Sequence, residues 1–528
     1  MTDALDGDGN AVRPDEPPPS RPPDDRFHRA LIDDVRPPAW RNPKPIGKYD
    51  LVVIGAGPGG LIAAREAAVL GAKVALIERN LLGGDRLNVG CVPSKALIRT
   101  SRLYADLHDA ENYGGQVPRD IAVDFPRVMA RMRRIQARLG RADSARRLSE
   151  AGVDVYFGEA SFAGSDTVAV AGEVLQFRKA LIATGARPLI APIPGLAEAG
   201  YLTNENVFDL TECPRRLMVI GGGPLGCELA QAFCRFGSQI IIAQDDPTFL
   251  PKEERDAAQI LSDALARDGV EIHLNTTVVA VRTEGARKIV DLVSDDVSFS
   301  VSVDEILAGI GRAPNVEGLN LEAAGVRYDT ETGIRVDDFL RTSNKRIYAA
   351  GDVCLEHKFT HAAEASARIA VRNALFLGRK RLSALIIPWC TYTDPEIAHV
   401  GLYVREAREK AIPVRTFTIL MHDVDRAVTD GEEDGFVKIH VRHGTDRILG
   451  ATIVARHAGE MINGLSFAIG EGIGLRAVAR VIHAYPTQAE AIKMAADAYN
   501  RTRLTPMLKS LSRWWVARRW LARRWLAW

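Results

Sequence analysis

The stretch KYDLVVIGAGPGGLIAAREAAVLGAKVALIER, residues 48–79, decides the fold. An apolar run rich in β-branched residues leads into glycines, an Ala/Leu-rich helical segment follows, and a second strand, KVALIE, closes the unit. Gly55, Gly57 and Gly60 stand where a pyrophosphate needs backbone closer than any Cβ permits, together with the positive end of the following helix. Glu78 ends the second strand, where a carboxylate accepts hydrogen bonds from a ribose.

A second copy, RRLMVIGGGPLGCELAQAFCRFGSQIIIAQ at 215–244, repeats the pattern about 165 residues later with Gly221, Gly223 and Gly226. Two strand, Gly-loop, helix, strand units imply two dinucleotide domains in one chain. In the second unit Gln244 and Asp245 occupy the ribose position, with no adjacent Arg to receive a 2′-phosphate. This leans towards NADH over NADPH, with Lys252 and Arg255 close enough in sequence to reverse the preference.

With 528 residues the chain exceeds one hydrophobic core, and about three domains are expected. Its hydrophobic fraction of 46%, charged fraction of 26% and 45 glycines fit a soluble mixed α/β protein. No apolar run is long enough to span a bilayer and no segment has the order of a secretory signal, so the expected location is the cytoplasm. Six cysteines (91, 213, 227, 234, 354 and 390) are too few for a disulfide framework at this length. The net charge of +1 hides an asymmetry: residues 501–528 carry eight Lys/Arg and no acid, leaving residues 1–500 at −7. An acidic body repels phosphates, which argues against nucleic acid as a partner.

Residues 1–48 hold 10 of the 27 prolines and are expected to form a disordered or loosely docked arm. After RIYAAGDV (346–353) comes an Ala-rich helix, and from about 386 short alternating strands precede two helical segments, a third, α+β domain. The expected boundaries are 49–205 with 336–383 for the first dinucleotide domain, 206–335 for the second, 384–500 for the third, and 501–528 for a basic tail.

The motifs GAGPGG, GCVPSK, ATGARP, GGGPLGCELA, AGDV and YPTQAE, in this order, make the chain resemble the class I pyridine nucleotide-disulfide oxidoreductases. KFTHAAEASARI, IPWCTYTDPEIAHVGL and Tyr485 of AYPTQAE resemble the mercuric-reductase branch most. The resemblance implies a homodimeric FAD flavoprotein of α/β class, with two Rossmann-like FAD and NAD(P) domains and an α+β C-terminal dimerisation domain. FAD is implied on Gly55, Gly57, Gly60, Glu78, Thr184, Gly185 and Asp352, and NADH or NADPH on Gly221, Gly223, Gly226 and Gln244. Cys91 is implied to be the thiol against the flavin, Lys95 to pair with Glu228 beside it, and Tyr485 and Glu490 to come from the partner subunit. Independently of the family, Cys91 and Lys95 are four apart and share a helix face, and a helix N-terminus with a nearby cation favours the reactive thiolate form of a thiol.

In GGDRLNVGCVPSK (83–95), Arg86 stands where the family carries its first redox cysteine. No disulfide can join positions 86 and 91, and the guanidinium is either a recognition group for an anionic acceptor or a loss of the nucleophile. The mercury-capturing C-terminal cysteine pair of mercuric reductases is missing as well, since no cysteine follows Cys390. Cys227 and Cys234 read as core residues, and Cys354 as a remote candidate for a substitute thiol. His357 and His361, four apart with Glu364 nearby, suggest a metal only if they share a helix, and no metal site is expected.

Five of the seven tryptophans (514, 515, 520, 525 and 528) fall in the last 15 residues among Arg513, Arg518, Arg519, Arg523 and Arg524. On a helix Leu511, Trp514, Leu521, Trp525 and Trp528 form one stripe, with Arg518 intruding and Trp515, Trp520 and Leu526 straying from it. Peripheral membrane or partner contact on one hand, and packing on the body or disorder on the other, are both open.

The expected function is transfer of electrons from NAD(P)H through FAD to a small acceptor, assisted by the single thiol Cys91. The alternatives are a mercuric reductase using non-standard thiols, a membrane-docked quinone-reducing NADH dehydrogenase, and an inactive flavin-binding scaffold.

Overall fold

The structure is a computed structural model that describes residues 23–118, 121–189, 192–376 and 378–525. It divides into two compact units, 1–252 with 262–385, and 253–261 with 386–528.

In the first unit, Tyr49–Ile54 lies centrally in a parallel sheet ordered Val153–Phe157, Val74–Glu78, Tyr49–Ile54, Glu173–Ile182 and Ile347–Ala349. Parallel sheets are covered on both faces, and accordingly Tyr49–Ile54 is buried throughout except at Asp50. Glu173–Ile182 is long enough to serve two sheets: its later residues pair with Tyr49–Ile54, while its first four join an antiparallel meander with Thr167–Val170 and Ala160–Gly164. The connection reverses direction between Tyr49–Ile54 and Glu173–Ile182, and open α/β sheets bind ligands at such a crevice.

A second parallel sheet runs Glu271–His273, Gln239–Ala243, Arg216–Ile220 and Glu305–Ala308, beside an antiparallel sheet of Thr276–Glu284, Arg287–Ser294 and Val297–Val303. The boundaries of this half differ from those expected at 206–335. Leu196 and Tyr201 already pack with Met218, Ile241 and Ile306. Val316, Leu319, Leu321, Val326 and Ile334 instead share the core of Tyr49, Phe162 and Phe177. The chain returns early because Arg312–Pro314 pairs with Ala186–Pro188 of the first half, a long-range pairing that no local pattern announces.

The reading of 1–48 as a disordered arm is corrected for residues 23–48; residues 1–22 lie outside those described. Asp25 caps the helix Arg26–Val35 by accepting from the backbone N–H of Phe27 and His28. Leu31 and Val35, one turn apart, are buried, and a Cβ at Gly140 would lie 2.6 Å from Leu31, so that glycine leaves room for the helix. Trp40 donates to the Val155 carbonyl, and Asn42 exchanges two hydrogen bonds with the Phe157 backbone along the edge of the parallel sheet. Proline counts missed this segment because three or four well-placed side chains suffice to dock ten residues.

In the second unit, Trp389–Thr391, Glu396–Gly401, Ile448–Ala455, Phe436–Arg442 and Val414–Leu420 form an antiparallel sheet. Helices Ala458–Gly470 and Glu490–Thr502 bury Ile462, Leu465, Ala491 and Ala495 with it. The fold class is α/β, with two Rossmann-like domains and an α+β C-terminal domain. The helix Pro506–Trp525 follows, and every residue from 501 to 516 is exposed.

Candidate active site

The two glycine cradles are built alike. Gly55 and Gly221 both have φ near +95°, a region that favours glycine. A Cβ on Gly60 would lie 1.8 Å from the Gly55 carbonyl oxygen, and one on Gly226 would lie 2.4 Å from that of Gly221. Gly57 and Gly223 start the helices Pro58–Val69 and Pro224–Arg235 with no side-chain cap, so the first-turn N–H groups face outward at the positive helix end.

The ends of the second strands repeat too. Glu78 accepts from the Ala56 N–H at 2.7 Å, and Gln244 accepts from the Gly222 N–H at 2.6 Å. Glu78 also accepts from the Asn80 N–H, and burial raises its carboxyl above the ordinary range. Gln244 donates in turn to Asp245. At the opposite side of the first cradle, Thr184 and Asn315 exchange hydrogen bonds of 2.7 and 2.9 Å, which pins ATGARP to the loop after Arg312–Pro314.

Cys91 opens the helix Cys91–His108, is exposed, and has Thr360 Oγ1 at 3.5 Å from its sulfur. One turn on, Lys95 Nζ reaches Glu228 Oε2 at 2.7 Å. Glu228 lies on the helix of the second cradle with its side chain only 4% exposed, while that of Lys95 is 32% exposed, so this pair joins the two dinucleotide domains through a contact desolvated on the Glu228 side. The other thiols are differently placed. Burial pushes the Cys227 and Cys354 thiols up, and burial with the Asp268 charge pushes Cys234 up to about 11. Cys227 donates to the Gly222 carbonyl and Cys234 to that of Asp268, in keeping with core roles.

Arg86 is held in an ion pair. Its guanidinium donates to Asp143, whose side chain is 4% exposed and which also accepts from Arg65 at 3.0 Å. The carboxylate that Arg86 meets lies 57 residues away in sequence and is shared with Arg65. Asp85, its neighbour, pairs with Arg312, whose Nε lies 3.7 Å from Asp352. Burial raises the Asp352 carboxyl, against the opposing pull of Arg312.

His357 precedes the helix Thr360–Leu375, so it and His361 do not share a helical face; both stack on Phe359 instead. In the second unit the Tyr485 hydroxyl donates to Asp425 at 2.8 Å, and Glu490 sits in the first turn of Glu490–Thr502. Asp143, Arg65, Asp85, Arg312 and Thr360 were missed in sequence. Arg312 in GRAPN was the one with a local signal, a charged residue inside a Gly/Pro turn between apolar strands; the others are ordinary charged or hydroxyl residues on helices.

Two glycine-cradled dinucleotide sites, an interdomain Lys–Glu pair and an exposed thiol at a helix start define a dinucleotide-dependent redox protein. Residues 49–368 match the family described as pyridine nucleotide-disulphide oxidoreductase, and residues 387–496 match its dimerisation domain. The mercuric reductase of Staphylococcus aureus is 32% identical over 455 residues, spanning 86% of this chain and 83% of that protein. The dihydrolipoyl dehydrogenase of Bacillus subtilis (strain 168) is 34% identical over 455 residues, spanning 85% and 96%. The solved HOCl-induced flavoprotein disulfide reductase RclA from Escherichia coli is 28% identical with a TM-score of 0.77, over 85% of this chain and 99% of that one. The chain belongs to the pyridine nucleotide-disulphide oxidoreductase family, and it is an FAD-dependent NAD(P)H oxidoreductase. Its dimerisation domain supports a homodimer.

FAD fits the residues present. A Cβ at Gly57 would meet nothing closer than 3.9 Å and one at Gly185 nothing within 4 Å, so open space lies over the first cradle. Glu78 keeps lone pairs beyond its two backbone contacts for a ribose.

Proposed function

We propose that this enzyme oxidises NADH and reduces a small acceptor at Cys91 without dithiol exchange. The observation that carries the proposal is the combination at the first helix turn: Cys91 is exposed beside the Lys95–Glu228 pair, while position 86 is held by Asp143. Bound FAD supplies the two-electron relay between nicotinamide and acceptor. Gly55, Gly57, Gly60, Glu78, Thr184, Gly185 and Asp352 hold and orient it, with Asp352 kept in place by Arg312. Gly221, Gly223 and Gly226 receive the nicotinamide dinucleotide. The uncharged Gln244, already bonded to Gly222 and Asp245, itself supplies no cation for a 2′-phosphate, which favours NADH. Lys95, fixed by Glu228, places a positive charge where reduction adds a negative one. Cys91 presents sulfur to the acceptor, with Thr360 as hydrogen-bond partner. Tyr485 and Glu490 complete the site from the partner subunit, Tyr485 oriented by Asp425. The enzyme works in the cytoplasm, and the tail from 501 onward serves contact, not chemistry.

The test is an anaerobic titration with NADH followed by an acceptor screen of Hg(II), disulfides and quinones, on wild type and Cys91→Ser. The proposal expects the flavin to bleach in both and acceptor reduction to fall in Cys91→Ser. No bleaching would mark an inactive scaffold. Hg(II) or quinone turnover retained without Cys91 would remove the thiol from the mechanism.

A further inference from the structure

We propose that the C-terminal helix Pro506–Trp525 docks this protein on an anionic lipid surface. The helix is 20 residues long and carries six Lys/Arg and no Asp/Glu. Its described apolar side chains are largely exposed: Met507 is 79% exposed, Leu511 57%, Trp514 52% and Trp515 55%.

The exposure is organised. At 3.6 residues per turn, Met507, Leu511 and Trp514 fall along one stripe of the helix, positions 521 and 525 continue it, and Leu508 and Trp515 flank it on one side. Lys509 and Arg513 lie on the opposite side together with Val516, positions 523 and 524 join them, and position 519 borders the apolar side next to Leu508. Arg518 interrupts the apolar sector in the register, yet its guanidinium lies over the Trp514 ring at 4.5 Å. An arginine stacked on tryptophan buries its stem along apolar surface and keeps its charge at the boundary with water. A soluble protein partner would require no such excess of one charge, whereas an anionic interface attracts each cation and admits indole rings at headgroup level. No helix among the described residues is long and apolar enough to cross a membrane, so the helix lies on the surface and does not span it.

The body opposes the same surface. Residues 1–500 carry a net −7, so removal of the tail's cations should convert attraction to repulsion. The test is co-sedimentation of the FAD-loaded full-length protein with phosphatidylcholine vesicles, with or without about a third phosphatidylglycerol. Each cation near such a surface contributes about a fivefold gain in partitioning. The proposal expects sedimentation with anionic vesicles only, loss above about 0.5 M salt, and a fall of roughly twentyfold in Lys509→Ser/Arg513→Ser, with NADH-dependent turnover unchanged. Trp514→Ala/Trp515→Ala should release the protein at unchanged charge. Equal binding to neutral vesicles, or none to either, overturns the proposal. So does an assembly larger than a dimer that is lost in Trp514→Ala/Trp515→Ala, which would make a second copy the occupant of this face.

Discussion

Removal of Arg86 tests what took the place of a dithiol. Asp143 has a side chain 4% exposed and two guanidinium partners, Arg86 and Arg65, whose own side chains are 28% and 34% exposed. Breaking a fully buried ion pair costs about 3–5 kcal/mol, and one charge-assisted hydrogen bond contributes about 1.5–3 kcal/mol. Arg65 remains in Arg86→Met, and both arginines reach water, so the expected cost is at the low end, about 1.5–2 kcal/mol. In Asp143→Asn the arginines lose their common anion, and the double variant should cost little more than the worse single one. The coupling between the two positions is then about 1–1.5 kcal/mol, well above the ~0.5 kcal/mol of unlinked sites. The assay is urea-induced loss of flavin and of ellipticity for wild type, both single variants and the double. A several-domain chain need not unfold in one step, so the first transition is the one compared. Additivity within about 0.5 kcal/mol would refute the bridge. Arg86→Cys deletes the same bridge, so it should lose stability even as it supplies a second thiol.

Three further outcomes follow from the geometry. Gly60→Ala should fail to retain FAD, because its Cβ would collide with the Gly55 carbonyl, whereas Gly226→Ala should stay yellow while its KM for NADH rises about tenfold or more, both read from absorbance and initial rates. Lys95→Met removes the positive charge held by Glu228, and stopped-flow reduction by NADH should slow by about tenfold to a hundredfold; an unchanged rate would remove the pair from catalysis. Acid should destabilise the second unit from about pH 6.5 downward. Burial lowers the His399 pKa from 6.5 to about 3, so the unfolded chain binds a proton that the folded one refuses, and stability present above 6.5 is lost as pH falls. Although burial opposes it, the neighbouring His440 and the hydrogen-bonded Lys438 hold Glu254 down to about 2, which removes further stability between 4.5 and 2. Urea midpoints at pH 7.5 and 5.5 should differ less in His399→Gln than in wild type.

The dinucleotide halves were legible because glycines that leave room over a loop, or whose Cβ would collide with a carbonyl, leave a local signature. Gly55, Gly57 and Gly60, with Glu78 one strand later, carry that signature, and Gly221, Gly223, Gly226 and Gln244 repeat it. Cys91 and Lys95 were legible for a similar reason, since one helical turn sets their common face.

By itself, then, the sequence determined the fold class, the two cradles and the absence of a thiol at position 86, all of which depend on residues within a few turns of one another. Only the tertiary structure decided where Arg86 points, that 312–335 packs with the first half, and that Arg26–Val35 docks beside Gly140. Each of these depends on residues tens to more than a hundred positions apart. A charged side chain takes its partner from whatever the fold brings within hydrogen-bond reach, and that neighbourhood is a property of the packed chain rather than of any local pattern.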